Sequence, residues 1–266
     1  MPNAPDARRM AALPRTPKVG IVTVTLRWIA ALLLWFVLIP TASAREAWPP
    51  AVMAYLEALS SVEQGDPPVS MEALFTAAEA AQDELMQVNP VGQQAWMESL
   101  SEEDYAYLVQ LLRGMRLARG RDVYAQPDPN FLSELAQRLG RPEDRDFFRI
   151  YRASWGANMV PSYLRLTTRA APCVRFGEGL IPPLYERWRG YRTQYSQAYS
   201  TYVAQTVKDL EEAVSLGTCA CAGADSVEQE LSAFVSRFPD TPVRPAIMAR
   251  LQELEDDPER RPVQCR

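Results

Sequence analysis

The sequence contains no histidine, and Lys208 is the only lysine after residue 44. Without imidazole, Ser-His-Asp and Cys-His catalysis are excluded, and so are zinc sites that use histidine. Lysine chemistry such as a Schiff base would have to use Lys208, for which an ion pair on the polar side of a helix is the simpler interpretation. The remaining positive charge belongs to arginine, which does not act as a base. Carboxylates, tyrosines and four cysteines are left for catalysis, and we expect no cofactor and no metal.

The first 44 residues have the composition of a secretory signal peptide. Basic residues precede a run of apolar residues, WIAALLLWFVLI at 28–39, which Pro40 ends. The small-residue sequence Ala-Ser-Ala at 42–44 then provides a cleavage site. We therefore predict a periplasmic or secreted chain of residues 45–266. The alternative is an uncleaved anchor, although the apolar run is shorter than the ~20 residues of a spanning helix. A membrane location is expected only in that case.

The predicted mature chain is acidic. Residues 1–44 hold five of the 28 basic residues and one of the 33 acidic residues, which leaves 23 basic and 32 acidic residues in 45–266, a net charge of −9. This sign of charge argues against nucleic acid as a partner.

Helical periodicity between Gly and Pro breaks predicts an all-α fold. We expect a compact multi-helix bundle of roughly eight helices with a C-terminal helical hairpin. Residues 45–266 are treated as one domain, with a division into 45–140 and 141–266 as the alternative. One helix is predicted to begin after Ser101 and to run to about Ala118. The run SYLRLTTR at 162–169 is also predicted as helix.

The most prominent pattern is a Tyr-rich amphipathic stretch at 183–216. Its apolar residues follow a helical period, Pro183 suits the first turn, and Gly217 suits the position after the last turn. The pattern predicts one long helix, with an interruption at Gly190 as the alternative.

Residues 227–254 form a helix with two phenylalanines, then Phe-Pro-Asp-Thr-Pro, then an alanine-containing helix. The first of these helices is predicted to begin with a capping box at 225–228. The pair resembles a tetratricopeptide helical hairpin over about thirty residues. The resemblance implies a helical module that binds other proteins.

Four cysteines follow the signal segment, and in an exported chain an even number implies disulfide bonds. The antiparallel final helices would bring Cys265 close to Cys219 or Cys221, which leaves Cys173 for the other cysteine of that pair. An unbroken helix over 183–216 would be about 50 Å long and would prevent this bond, whereas a break at Gly190 would allow it. The alternatives are Cys173–Cys265 with Cys219–Cys221, free thiols, or a redox-active Cys-x-Cys.

Positive charge and aromatic residues are concentrated at 141–192, where ten basic and five acidic residues give a net charge of +5. Arginine and aromatic residues dominate the energetics of protein interfaces. We therefore predict a docking surface for an anionic partner, although these arginines could instead pair with the acidic N-terminal half. The predicted binding residues are Arg145, Arg149, Arg152, Arg187, Arg189, Arg192, Trp155 and Trp188.

These observations lead to two hypotheses about function. The first is a non-enzymatic, exported helical protein that binds another protein of the cell envelope, as an inhibitor, an immunity-type factor or a scaffold. The second is a carboxylate-dependent peptidoglycan hydrolase or lyase that uses Glu178, which lies between two glycines, as its acid. Gly-Glu-Gly is equally typical of an ordinary surface turn.

Overall fold

The computed structural model describes residues 48–65, 69–88, 94–120, 123–167, 172–216 and 219–257. The signal segment and Cys265 lie outside these residues. Most of the described chain is helical, which confirms the predicted all-α class. The helices are α1 (Pro50–Gln64), α2 (Met71–Met86), α3 (Glu102–Leu111), α4 (Pro129–Leu139), α5 (Pro142–Ser154), α6 (Ile181–Gln194), α7 (Ser200–Ser215), α8 (Ala224–Arg237) and α9 (Arg244–Asp256), with a short 3-10 helix at Trp96–Ser99. Two small antiparallel sheets pair β1 (Met115–Ala118) with β2 (Tyr124–Pro127) and β3 (Leu164–Arg165) with β4 (Cys173–Val174).

The helix ends follow the local sequence signals. Proline opens α1, α4 and α5, where its missing N–H removes no helical hydrogen bond. The Ser70 hydroxyl accepts a hydrogen bond from Ala73 N at the start of α2, and Ser101 caps α3 in the same way. In α5, Asp144 lies in the first turn and accepts a hydrogen bond from Arg141 N at 2.8 Å.

Helix α3 ends seven residues before the predicted end at Ala118, so this prediction is wrong. Gly114 has a φ of +83°, which turns the chain out of the helix and into β1. A Cβ atom at Gly114 would lie 2.5 Å from the Phe131 ring and 2.6 Å from the Tyr55 hydroxyl. Tyr55 also donates a hydrogen bond to the Arg113 carbonyl. The close packing of α1 and α4 around this glycine therefore determines the turn.

The predicted helix at 162–169 is also wrong in its described part. Leu164 pairs with Val174 and Arg165 pairs with Cys173, which makes this segment β3 of a short hairpin. Val174 in turn exchanges backbone hydrogen bonds of 2.8 Å with Cys219 and Cys221. Hydrogen bonds to backbone groups elsewhere in the sequence thus decide the conformation of this segment. A local periodic pattern cannot predict such hydrogen bonds.

The Tyr-rich segment forms two helices, α6 and α7, joined by a corner at Tyr195–Tyr199. Gly190 lies inside α6, so the predicted site of the break is wrong although the break itself is present. Tyr199 adopts the left-handed conformation with a φ of +52°. Its N–H donates to Glu72 Oε1 at 2.6 Å and its hydroxyl donates to Asp144 Oδ1 at 2.8 Å. Acidic side chains from α2 and α5 therefore hold the corner in place.

The corner brings Cys173 and Cys221 together in a disulfide bond. The favoured pairing joined Cys173 to Cys219 or Cys221, and this bond confirms that part of it. Cys219 is also disulfide-bonded.

The C-terminal hairpin consists of α8 packed on α9, as predicted. Helix α8 begins after Gly223 without a side-chain cap, so the capping box predicted at 225–228 is wrong.

One hydrophobic core runs through the unit Trp48–Arg266 and includes residues from both halves of the predicted domain. Its centre is aromatic: Phe75 contacts Phe147, Phe148 and Tyr151 edge to face, and Phe147 stacks on Tyr199 with ring centroids 3.7 Å apart. Among the described helices, none combines the length and the apolar character that a membrane crossing requires.

Candidate binding surface

The aromatic residues predicted for the docking surface belong mainly to the core. Trp188 is fully buried, and its indole N–H donates to Ser154 Oγ at 3.0 Å. Trp155 follows the last residue of α5 and is half-buried against Tyr151. A partner could not reach Trp188 without unfolding this region, so Trp188 is not a surface residue, and the accessible part of the predicted set is mainly its arginines.

The three arginines of α5 lie on one side of the helix but have different surroundings. Arg145 donates to the Gly140 carbonyl at 3.0 Å. Arg149 forms an ion pair with Asp146, also at 3.0 Å, and remains largely exposed. Arg152 is exposed and has no hydrogen bond or ion pair within the described part of the chain.

Helix α6 packs beside α5, where the Trp188 indole N–H donates to Ser154 Oγ and the Tyr191 hydroxyl donates to the Glu143 carbonyl. Arg189 pairs with Asp240 at 2.9 Å, and this hydrogen bond lowers the pKa of the Asp240 carboxyl. Arg187 and Arg192 are exposed and, like Arg152, have no polar partner among the described residues. The two neighbouring helices thus present three arginines whose charge no acidic side chain of the described chain neutralises.

Glu178 lies in an exposed turn between Gly177 and Gly179, which both have positive φ. Its Oε1 pairs with Arg165 Nη2 at 2.9 Å, and its Oε2 pairs with the Arg175 guanidinium, including Nε at 3.0 Å. The hydrogen bonds from Arg175 and the two positive charges lower the pKa of Glu178. Glu178 is therefore ionised at neutral pH, which is the opposite of what a general acid needs.

This geometry gives the hydrolase hypothesis no support, and it remains a prediction that a peptidoglycan zymogram would test. Among the described residues there is also no cluster of three His, Cys, Asp or Glu side chains suited to a metal ion.

A small cavity of about 210 Å³ opens beside the ion pairs of Glu178. The loop after α5 forms most of its wall, closed by a hydrogen bond from Gly156 N to the Val160 carbonyl at 2.8 Å. Arg175 belongs to the wall and fixes it, because its Nη1 donates to the Ser162 carbonyl at 2.8 Å. The wall also includes Val160, Pro161, Arg165 and Leu166.

The sequence did not single out Arg165 and Arg175 as a pair. Their closeness depends on the β3–β4 hairpin, which local periodicity does not predict. The flanking glycines of Glu178 were the available signal, and they indicated the turn but not its partners. The sequence also gave no sign that Arg250 is buried, where its Nη1 donates to the carbonyls of Ala213 and Val214 at the end of α7.

Comparison with known proteins identifies no matching family model, no similar curated protein and no similar solved structure. The tetratricopeptide resemblance of residues 227–254 gains no support from these comparisons. The geometry of this chain is therefore the only guide to its function.

Proposed function

We propose that this chain is an exported, non-enzymatic helical protein that binds an acidic surface of another protein in the cell envelope. The observation that carries the proposal is a set of four exposed arginines on the neighbouring helices α5 and α6: Arg149, Arg152, Arg187 and Arg192. Three of these four side chains have no acidic partner in the described chain. Arginine is well suited to such contacts because its planar guanidinium binds carboxylates through paired hydrogen bonds.

The support for a rigid binding protein comes from the helices behind these arginines. The same two helices are anchored in the core by fully buried aromatic residues, Phe147, Phe148 and Trp188. Guanidinium groups on rigid helices lose less conformational freedom on binding than groups on mobile loops. Location outside the cytosol is favoured by the signal-like N-terminal segment and by the disulfide bond Cys173–Cys221.

A pull-down from envelope extract tests the proposal. The bait is the chain beginning at Arg45, compared with the double variant Arg149→Glu/Arg152→Glu. We expect the wild-type bait to retain a protein that the variant does not retain, because the reversed charges would repel an acidic partner.

The control variant Lys208→Glu makes the same kind of charge change on α7, where Lys208 pairs with Glu212 at 3.5 Å. We expect it to retain the same protein as the wild type. Retention by the double variant at the wild-type level, with an unchanged circular dichroism spectrum, would disprove the role of these exposed arginines.

Export has a separate test. Mass spectrometry of the protein isolated from its native host should show Arg45 as the first residue. A retained segment 1–44 would contradict cleavage and favour the anchored alternative.

A further inference from the structure

The cavity beside Glu178 has the chemistry of a binding pocket for one acidic side chain and a neighbouring apolar side chain. We propose that it receives a Glu- or Asp-containing segment of the protein partner, next to a leucine-like residue. This inference extends the proposed function, because it gives the partner a second point of contact and a defined local chemistry.

The charge balance of the pocket favours an acid. Two guanidinium groups, Arg165 and Arg175, converge on a single carboxylate, Glu178, which leaves one positive charge uncompensated among the three. Arg165 is 57% exposed, so its side chain can be approached from solvent. A second carboxylate could therefore bind Arg165 through charge-assisted hydrogen bonds.

The remaining wall favours an apolar neighbour. Leu166 is 53% exposed and lines the pocket together with Val160 and Pro161. At about 210 Å³ the cavity lies below the ~300–1,000 Å³ of sites that enclose a drug-sized molecule. It therefore suits a group the size of a side chain rather than a free cofactor.

Glu178 then has a definite role as an internal competitor. Its Oε1 accepts from Arg165 Nη2, so an incoming carboxylate competes with Glu178 for the Arg165 guanidinium. Removal of the Glu178 charge should consequently tighten binding, because a larger fraction of the protein is then competent to bind. A residue needed only for the local fold would have the opposite effect.

The pocket is anchored to the rest of the fold on its far side. Arg175 N donates to the Tyr163 carbonyl at 2.9 Å, and neighbouring β4 is bound to the chain after α7 through the Cys173–Cys221 bond. The guanidinium of Arg175 is thus held in place, while Arg165 is the more accessible of the two.

Two-dimensional ¹H–¹⁵N NMR of the chain beginning at Arg45 tests the proposal. The probes are N-acetyl-glutamyl-leucine amide and its matched glutaminyl analogue, each added up to about 10 mM, where a 1 mM dissociation constant is close to saturation. We expect the acidic probe to shift the backbone amide signals of 156–166, and the neutral probe to leave them unchanged.

Three variants make the test specific. Arg165→Gln should weaken the acidic probe by about tenfold, since it removes a charged hydrogen-bond donor. Leu166→Ala should weaken it by a smaller factor, and Glu178→Gln should tighten it by about threefold. Arg138→Gln, an exposed change on α4, is the control and should have no effect.

Equal shifts with both probes, or no shift with either probe in the wild type and in Glu178→Gln, would overturn the proposal. Weaker binding of the acidic probe by a folded Glu178→Gln protein would also overturn it. These results do not depend on the exposed arginines of α5 and α6. If the probe binds but protein capture does not depend on Arg149 and Arg152, the proposed function alone is contradicted. If capture depends on Arg149 and Arg152 but the probe does not bind, only the proposal about the pocket is contradicted.

Discussion

Tyr199 joins three helices at the corner between α6 and α7. Its ring stacks on Phe147 in α5, its N–H binds Glu72 in α2, and its hydroxyl binds the buried carboxylate of Asp144. Burial and the neighbouring Asp144 charge raise the pKa of Tyr199, so its hydroxyl remains a donor throughout the physiological range. These contacts explain how a residue other than glycine is maintained at a positive φ.

We predict that Tyr199→Phe lowers the free energy of unfolding by about 1.5–3 kcal/mol, because a buried carboxylate loses a hydrogen bond. Chemical denaturation monitored by circular dichroism measures the change. Tyr195→Phe is the matched control, since that hydroxyl donates to the more exposed Asp146 at 2.9 Å. We expect it to change stability much less than Tyr199→Phe does, and equal losses in the two variants would contradict this account.

Glu79 in α2 is a second residue whose environment has a measurable effect. Burial, with a smaller contribution from the negative charge of Asp83, raises its pKa to about 7. The negative charge of Glu79 also contributes to raising the pKa of Tyr151 and of Tyr202. Because the folded state holds the proton more tightly than the unfolded chain, Glu79 favours folding below pH ~4.5, and this contribution is lost as the pH rises to about 7.

We therefore predict that Glu79→Gln stabilises the protein at pH 8 by about 1–2 kcal/mol, after allowance for the partial exposure of the side chain. Near pH 4.5 the variant and the wild type should have nearly equal stability. Thermal unfolding at both pH values measures this, with Glu57→Gln on the exposed side of α1 as the control. A stability difference for Glu79→Gln that does not depend on pH would contradict the prediction.

At the scale of elements, start signals in the sequence mark the first residues of several helices. Helix α2 begins at its Ser70 cap, and α4 begins with a proline after the Asp128 cap. The failures occur where tertiary contacts override a helical pattern. Residues 115–118 continue the period of α3, but the turn at Gly114 and the pairing with 124–127 make them a strand.

We predict that Gly114→Ala lowers the free energy of unfolding by about 3 kcal/mol or more. A positive φ is unfavourable for alanine, and the added methyl group would overlap the Phe131 ring. Gly120→Ala is the control, because a Cβ atom there meets no atom within 4 Å. Its expected effect is within about 0.5 kcal/mol, and a similarly small effect at Gly114 would disprove the packing argument.

The candidate binding residues show the same limit of local patterns. The spacing of Arg145, Arg149 and Arg152 correctly placed them on one side of a helix. It could not show that Arg145 binds a carbonyl while Arg152 remains unpaired. The two tryptophans were chosen because aromatic residues are common at protein interfaces, yet Trp188 is buried in the core. A helical period shows that one side of a helix is apolar, but it does not show whether the protein's own core or a partner covers that side.

At the scale of the whole molecule, the disulfide bond links segments 48 residues apart in the sequence. It joins the pocket hairpin to the chain that precedes α8. From the sequence, chain lengths alone restricted which cysteines could form a bond. They correctly showed that a Cys173–Cys221 bond requires a break in the long helix. They could not place that break, because Glu72 and Asp144 come from distant helices.

We predict that the double variant Cys173→Ser/Cys221→Ser is less stable by about 2–4 kcal/mol, because the unfolded chain regains the freedom that the bond removes. Thermal unfolding without reducing agent measures the loss as a lower Tm. Ser215→Ala in the last turn of α7 is the control for a small change in the adjoining helix. An unchanged Tm in the double variant would show that the hairpin is held by its other contacts alone.

The corner at Tyr195–Tyr199 has a consequence for how the newly made chain matures. As one straight rod, the Tyr-rich segment would keep the sulfur atoms of Cys173 and Cys221 too far apart to react with each other. A chain in which this bond is already closed therefore cannot adopt the straight rod. Oxidation would thus remove the unbent conformer from those open to the maturing chain, whichever of the two events comes first.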